Sequence, residues 1–323
     1  QAGFEHRGIR FDNASVNPLS NLKLFLLLYR LYGHERPAAV LHFTIKMNIY
    51  GSLAAGFLGI PCLSNITGLG SLFLHSSLLF RLARQLYTFA LRFPHTVFFQ
   101  NVADRDLFIR KGFVNQTKAA LLPGSGIDLH RFRPCKAPAK RRYLFVGRLI
   151  QDKGIYEFID AVRSLKERYP QIEFAVLGAL YPHNPTAVSS NTLNEWVRDD
   201  LIRYLGSTDD VVPELAAAEC VVLPSYREGL SRVLLEAAAM ARPIITTDVP
   251  GCRDVVDDGL TGFLCQPHDT SDLAAKIEKM IRLPAGRRAA MGKKGRKKVE
   301  SQFDEKIVID ICLKAIDEAI RRT

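Results

Sequence analysis

The chain has 323 residues, 47% of them hydrophobic and 24% charged, a composition ordinary for a soluble globular enzyme and long enough for two α/β units with separate cores. Its six cysteines stand singly, with no C-x-x-C pair and no zinc-type spacing, which argues against a disulfide framework or a metal site and for a reducing compartment. The longest apolar run, Leu24 to Leu28, is too short to cross a bilayer.

The first half alternates short apolar runs with amphipathic ones. Leu22, Leu26, Tyr29 and Leu31 set an apolar stripe on a predicted helix over Asn21–Tyr32, and Pro37 stops it before a buried strand, Ala39–Phe43. A helix around Tyr50–Leu58, a strand at Ile60–Ser64, a long helical stretch over Ser71–Arg92 and a strand at Thr96–Gln100 follow. His42 lies inside an apolar strand and reads as a core histidine. Ala103–Lys111 reads as a helix and Ala119–Pro123 as a strand. The turn-rich bridge from Pro123 to Pro138 closes this lobe, and the boundary is expected at 134/135.

The alternation then restarts. Strands are expected at Arg142–Val146, Glu173–Leu177, Cys220–Pro224 and Pro243–Thr247, and helices at Gly154–Tyr169, Ser231–Ala241 and Ser271–Leu283. Residues 304–323 form a terminal amphipathic helix that could cross back to the first lobe. Lys293–Lys298 is a basic run best read as a solvated helix face. Strand–helix alternation at this spacing implies parallel sheets covered on both faces, so the expected domains are 1–134, 135–303 and the helix 304–323.

Charge is placed unevenly. Residues 1–134 carry 15 Lys and Arg against 6 Asp and Glu; the remainder carries 29 against 27. No acidic residue occurs from Gly51 to Gln100, whereas Arg81, Arg84 and Arg92 do. A one-sided basic lobe attracts polyanions such as anionic lipid, phosphorylated substrates or nucleic acid.

Two loops carry candidate chemistry. After the Cys220 strand, a loop brings Glu228 and Gly229 ahead of a helix opening near Ser231, with Leu230 and Val233 beside them and Glu236 more than one turn into the helix. Helix N-termini bind phosphate through free N–H groups and the dipole, and Gly229 permits close backbone approach. Two carboxylates would repel a phosphate, so Glu228 and Glu236 are expected to accept hydrogen bonds from sugar and ribose hydroxyls. After the Arg142 strand, Gly147, Arg148 and Lys153 place two cations at a strand's C-terminal end, where open α/β sheets bind ligands. They would neutralise a diphosphate leaving group. The alternative is solvated charges in loops.

These segments, Gly147-Arg148-Leu149 to Lys153-Gly154, Leu223-Pro224-Ser225-Tyr226-Arg227-Glu228-Gly229 to Glu236-Ala237, and Asp257-Asp258-Gly259-Leu260-Thr261-Gly262, together resemble family 4 of the retaining glycosyltransferases, with the GT-B fold. In the first half, Thr44–Gly51, Gly68-Leu69-Gly70 and Gln100-Asn101 are similar to the subgroup that extends polyprenyl-diphosphate-linked sugars, N-acetylgalactosaminyltransferases among them. The resemblance implies two Rossmann-like lobes facing across a cleft. It implies that Arg148 and Lys153 hold the donor diphosphate and that Glu236 binds ribose. Glu228, with the backbone of Gly229, Leu230 and Ser231, would contact the donor sugar and β-phosphate. Retention by same-face attack would then need no metal and no cofactor beyond the UDP-sugar substrate.

Many members carry a His after the strand that here reads Leu63 to Gly68; this chain has none there, which leaves the acceptor side open. Lys46, Asn48, Thr67 and Asn101 are the candidates, with structural loop roles as the alternative. The opening residues resemble the family pattern just before its third strand. Glu5–Phe11 is therefore expected as a strand, with at least one strand–helix unit absent before it. Such an incomplete first lobe should show fewer parallel strands than the second, and an open sheet edge or exposed apolar face.

The expected function is transfer of a hexose or N-acetylhexosamine from a UDP-sugar to a polyprenyl-diphosphate-linked sugar in bacterial surface glycan assembly, including O-antigen or capsule. The enzyme would act as a cytoplasmic protein, peripheral on the inner face of the cell membrane, with no nucleic-acid partner. A UDP-sugar 2-epimerase of the same fold is one rival, but no convincing acid–base set for the sugar C2 is found. A non-catalytic basic protein binding membrane or nucleic acid is the other, with charge in its favour and no recognition motif behind it.

Overall fold

The computed structural model describes residues 5–9, 11, 17–68, 78–136, 138, 140–182 and 184–322, which divide into two compact units. The first comprises Gln1–Phe99, Asp104–Leu121 and Ile311–Thr323; the second comprises Gln100–Ala103 and Leu122–Asp310. The bridge after Leu121 thus clusters with the second unit, ahead of the boundary expected at 134/135. Ile127 explains this locally: its amide donates to the Phe303 carbonyl at 2.9 Å, and its side chain is buried in the second unit's core.

The first unit runs α1 (Pro18–Glu35), β1 (Val40–Phe43), a π-helical turn (Met47–Gly51) into α2 (Ser52–Phe57), β2 (Cys62–Ile66), α3 (Leu78–Ala90), β3 (Thr96–Phe99), α4 (Val102–Arg110) and β4 (Ala119–Leu121). The strands form one parallel sheet in the order β1-β2-β3-β4. Asn17 caps α1, its side chain accepting from Leu19 N at 2.9 Å, and Pro18 sits at the first turn where no N–H is needed. β2 is buried along its whole length, as expected of a strand covered on both faces.

Glu5–Phe11 is a correction: Glu5–Ile9 and Phe11 are not strand, and Ile9 and Phe11 instead pack against the cluster of Leu24, Leu28 and Tyr32. Only Ile9 and Phe11 are apolar in this stretch, and an extended segment becomes a strand only where its backbone can join a ladder. The first sheet has four strands among the described residues against six in the second. On α1, Leu19, Leu22, Leu26, Leu27 and Tyr29 are exposed. Of the long helix expected over Ser71–Arg92, residues 71–77 lie outside the described residues, as do Leu69 and Gly70 of the quoted motif. His42 is a core histidine: it is 2% exposed, with Nε2 3.1 Å from the Tyr32 hydroxyl and Nδ1 3.2 Å from the Ser52 hydroxyl.

The second unit continues with β5 (Arg142–Val146), α5 (Ile155–Lys166), β6 (Glu173–Leu177), α6 (Ser190–Arg198), β7 (Arg203–Tyr204), α7 (Val212–Ala217), β8 (Cys220–Leu223), α8 (Arg232–Ala239), β9 (Ile244–Thr247), β10 (Gly262–Cys265), α9 (Thr270–Arg282) and α10 (Ala285–Gln302); α11 (Glu305–Arg321) begins in it, and its residues from Ile311 on group with the first unit. Its sheet is parallel throughout, in the order β10-β9-β8-β5-β6-β7. Chain order reverses between β5 and β8, so the topological switch lies there. Tyr143, Leu144 and Phe145 of the central strand are wholly buried. The basic run 293–298 lies on α10: Lys293, Lys294 and Lys297 are exposed, while Arg296 donates to the carbonyls of Phe132 and Ala239. Among the described residues no helix is long and apolar enough to cross a membrane.

Candidate active site

The two loops singled out in the sequence leave β5 and β8, the neighbouring strands at the switch point. After β5, Gly147 N is bonded to the Leu177 carbonyl at 3.0 Å, and the chain passes a single 3-10 turn, Gln151–Lys153, before α5. Gly154 makes this turn possible. It holds φ at 72°, and a Cβ there would stand 2.1 Å from the Pro224 carbonyl oxygen. The β5 loop therefore lies directly on the β8 loop. The Asp152 carbonyl accepts from Tyr226 N at 2.9 Å and from the Ser225 hydroxyl at 3.1 Å, tying the loops at two further points.

This seam brings the predicted residues together in pairs. The Lys153 ammonium makes an ion pair with the Glu228 carboxylate, with side chains only 18% and 14% exposed. Arg148 is exposed, its guanidinium 5.3 Å from the centre of the Tyr181 ring. The two cations thus leave one strand end but have different partners.

Glu228 and Gly229 are set from below by the loop after β9. Glu228 N donates to the Pro250 carbonyl at 3.2 Å and Ser231 N to the Gly251 carbonyl at 3.0 Å. Gly251, at φ 81°, leaves no room for a Cβ, which would stand 2.4 Å from the Glu228 carbonyl oxygen. Ser231 is the N-cap of α8 without a side-chain capping bond, so the first-turn N–H groups of this eight-residue helix keep their donor capacity. Leu230 points into the core, 9% exposed, so a ligand would meet its backbone. The Val233 side chain is half-buried against the same core.

Glu236 is 7% exposed and pairs with Arg232, Nε to Oε1 at 2.9 Å, one helical turn away. Burial raises its carboxyl above the usual range, while Arg232 and, at longer reach, Arg131 draw it back. Arg131 in turn is 3.0 Å from Asp210. Sequence reasoning missed both arginines; the i,i+4 spacing of Arg232 and Glu236 was a usable signal, but Arg131 lies in a distant loop.

The acceptor-side candidates do not form one group. Asn48 is 1% exposed and donates to the Asn65 carbonyl at 2.9 Å, stapling the π-helical turn to β2. Lys46 is half-buried before the same turn, and Thr67 is exposed just beyond β2. Thr44, at the end of β1, holds φ at 70°, a strained setting for a branched residue. Asn101 belongs with the second unit, where its side chain donates to the Gly229 carbonyl at 2.7 Å. It therefore braces the Glu228–Gly229 loop. Tyr226, quoted only within a motif, is a further bracing residue: its hydroxyl donates to Glu157 at 2.6 Å.

Residues 140–282 match the family model for glycosyl transferases group 1. The chain is 27% identical to the N,N'-diacetylbacillosaminyl-diphospho-undecaprenol alpha-1,3-N-acetylgalactosaminyltransferase of Campylobacter jejuni, over 96% of this chain and 85% of that protein. It is 26% identical to the capsular polysaccharide biosynthesis glycosyltransferase CapM of Staphylococcus aureus, over 90% and 79% respectively. Among solved structures, Anabaena HepE in complex with UDP and glucose aligns with a TM-score of 0.77 at 21% identity, over 94% of this chain and 84% of that one. The structural likeness gives the fold, two parallel-sheet Rossmann-like units of the GT-B type.

Proposed function

We propose that this chain, a glycosyltransferase with a glycosyl transferases group 1 domain over residues 140–282, transfers a hexose or N-acetylhexosamine from a UDP-sugar to a polyprenyl-diphosphate-linked sugar, with retention and without a metal. The observation that carries this reading is the Lys153–Glu228 pair, held at the switch point of the second sheet beside the N-terminus of α8. A nucleoside diphosphate needs cations and free N–H groups at its phosphates and acceptors at its hydroxyls. The switch-point loops offer that combination. The acceptor class rests on the similarity to the Campylobacter jejuni enzyme, whose name states a diphospho-undecaprenol substrate.

In this reading Arg148 turns from Tyr181 onto the diphosphate and Lys153 shares its charge between Glu228 and the β-phosphate. Glu236 accepts from the ribose hydroxyls, exchanging part of its bond to Arg232. Glu228 orients the donor sugar. The bond from the anomeric carbon to the β-phosphate oxygen breaks, its electron pair leaving with UDP. The acceptor hydroxyl oxygen bonds to that carbon on the same face. Its proton passes to the departing phosphate oxygen, which same-face attack places next to it. Two cations and oriented N–H groups stabilise the charge that develops on UDP, the task a divalent metal performs elsewhere.

The basic first unit, with exposed Leu82, Leu86 and Phe89 on α3, suits peripheral contact with an anionic membrane on the cytoplasmic side, in capsule or O-antigen assembly. Titration of a UDP-sugar panel, followed by transfer to a polyprenyl-diphosphate-linked sugar with the product anomer read by NMR, tests the reading. An inverted product, or no affinity for UDP, overturns it.

A further inference from the structure

A cavity of about 800 Å³ lies wholly within the first unit, at the opposite end of its sheet from Lys46, Asn48 and Thr67. Its floor is formed by the residues that enter the strands: Ile60 and Pro61 before β2, His95 before β3, and Thr117 and Lys118 before β4. The last turns of α11 form its other wall, presenting Lys314 and Glu318 four residues apart on one helix face, with Arg322 in the turn just after the helix.

The charges in this cavity do not balance. Lys118, Lys314 and Arg322 face Glu318 alone, and among the described residues neither Lys314 nor Arg322 has an acidic partner at ion-pair distance. Lys118 is part-buried, its ammonium donating to the Arg92 carbonyl at 2.5 Å. His95 also lines the cavity. Its Nδ1 is 3.1 Å from the Thr96 hydroxyl, while its Nε2 is enclosed and hydrogen-bonded to nothing among the described residues. Burial and then Arg322 hold the imidazole below its usual range, with Glu318 opposing them and Lys118 adding to them. Three cations lining one cavity against a single carboxylate are the chemistry of a phosphate site. Glu318 would repel the phosphate itself and so suits the hydroxyls of the ester's organic part; Ile60 and Phe93 supply an apolar wall for its carbon face.

We propose that this cavity binds a phosphorylated, hydroxyl-bearing small molecule through Lys118, Lys314 and Arg322, at a site separate from the donor loops. Because α11 starts in the second unit and ends in the first, such a ligand fastens the end of that helix to the sheet.

Calorimetric titration of the full chain with ribose 5-phosphate, beside inorganic phosphate, tests this in the presence of saturating UDP. One saturable site is expected that persists under UDP and in Lys153→Ala. Arg322→Glu and Lys314→Glu, both at exposed positions, should each weaken it about tenfold or more while leaving UDP affinity unchanged. Retention of ribose 5-phosphate over inorganic phosphate supports recognition of the hydroxyls, and equal affinity overturns that part. Loss of binding under UDP assigns the ligand to the donor loops and overturns the proposal. Unaltered affinity in both folded variants, or no saturable binding, does so as well.

Discussion

The Lys153 ammonium pairs with the Glu228 carboxylate across two loops that leave the adjacent strands β5 and β8, so cation and acid neutralise each other before any ligand arrives. Both side chains are largely withdrawn from water, which strengthens the attraction relative to a surface pair. A diphosphate approaching this pair meets a shared cation; without Lys153 it would meet an unpaired carboxylate.

Lys153→Ala should therefore weaken UDP binding and turnover by roughly 1.5–3 kcal/mol, about tenfold to a hundredfold. In Lys153→Ala/Glu228→Gln part of that loss should return, because the repelling charge is gone as well. A double-mutant cycle on UDP affinity reads the coupling. Strict additivity would separate the two residues functionally.

The two acids should separate by assay. Glu236→Gln is expected to weaken UDP itself, and Glu228→Gln to impair sugar transfer while UDP still binds. Since burial raises the Glu236 carboxyl, the folded state holds its proton more tightly than the unfolded chain. Its ionisation then costs stability as pH rises through and above the ordinary carboxylate range. Glu236→Gln should accordingly lose UDP affinity without losing thermal stability at neutral pH, a combination read by calorimetry and thermal melts.

His42 gives a pH dependence of opposite sign. Burial pushes its pKa down to about 4, so the unfolded chain takes up a proton near pH 6.5 that the folded chain refuses. Stability from this group is complete at neutral pH and declines as pH falls from 6.5 towards 4, by on the order of 3 kcal/mol. Urea unfolding across that window should fall more steeply for the parent than for His42→Gln. Parallel slopes would remove the assignment.

Gly154 and Gly59 form a matched pair for backbone strain. Both hold positive φ, 72° and 66°, but a Cβ at Gly154 strikes the Pro224 carbonyl whereas nothing lies within 4 Å of one at Gly59. Gly59→Ala should cost about 1 kcal/mol. Gly154→Ala should cost more and also lower UDP affinity, because it pushes the β5 loop off the β8 loop. Equal melting shifts with unchanged UDP binding would contradict the packing argument.

Membrane contact is tested by flotation with vesicles containing anionic lipid. Binding should be clear at low salt, decline as ionic strength rises, and weaken in Leu86→Asp and Phe89→Asp, which sit on the exposed face of α3. Absence of binding at low salt would remove this part of the proposed function.

Local pattern determined a good deal of this protein. Apolar runs such as Tyr143 to Val146 and Phe174 to Leu177 mark central strands because a strand buried on both faces has no polar side to show. The same pattern placed Arg148, Lys153 and Glu228 at strand ends. It could not reveal β7, two residues long, which exists only because Ala175 and Val176 of β6 pair with Arg203 and Tyr204. The strand expected at Glu5–Phe11 comes from the family resemblance rather than from local pattern, and an extended segment becomes a strand only beside a partner. Nor could local pattern say which charges meet. Lys153 and Glu228 lie 75 positions apart, and Asn101 and Gly229 128 apart. Those encounters depend on the order β8-β5-β6 and on loops packed closely enough to require glycine at 154 and 251. Periodicity is written into neighbouring residues, whereas the partner of a charge is decided only when distant strands are laid side by side.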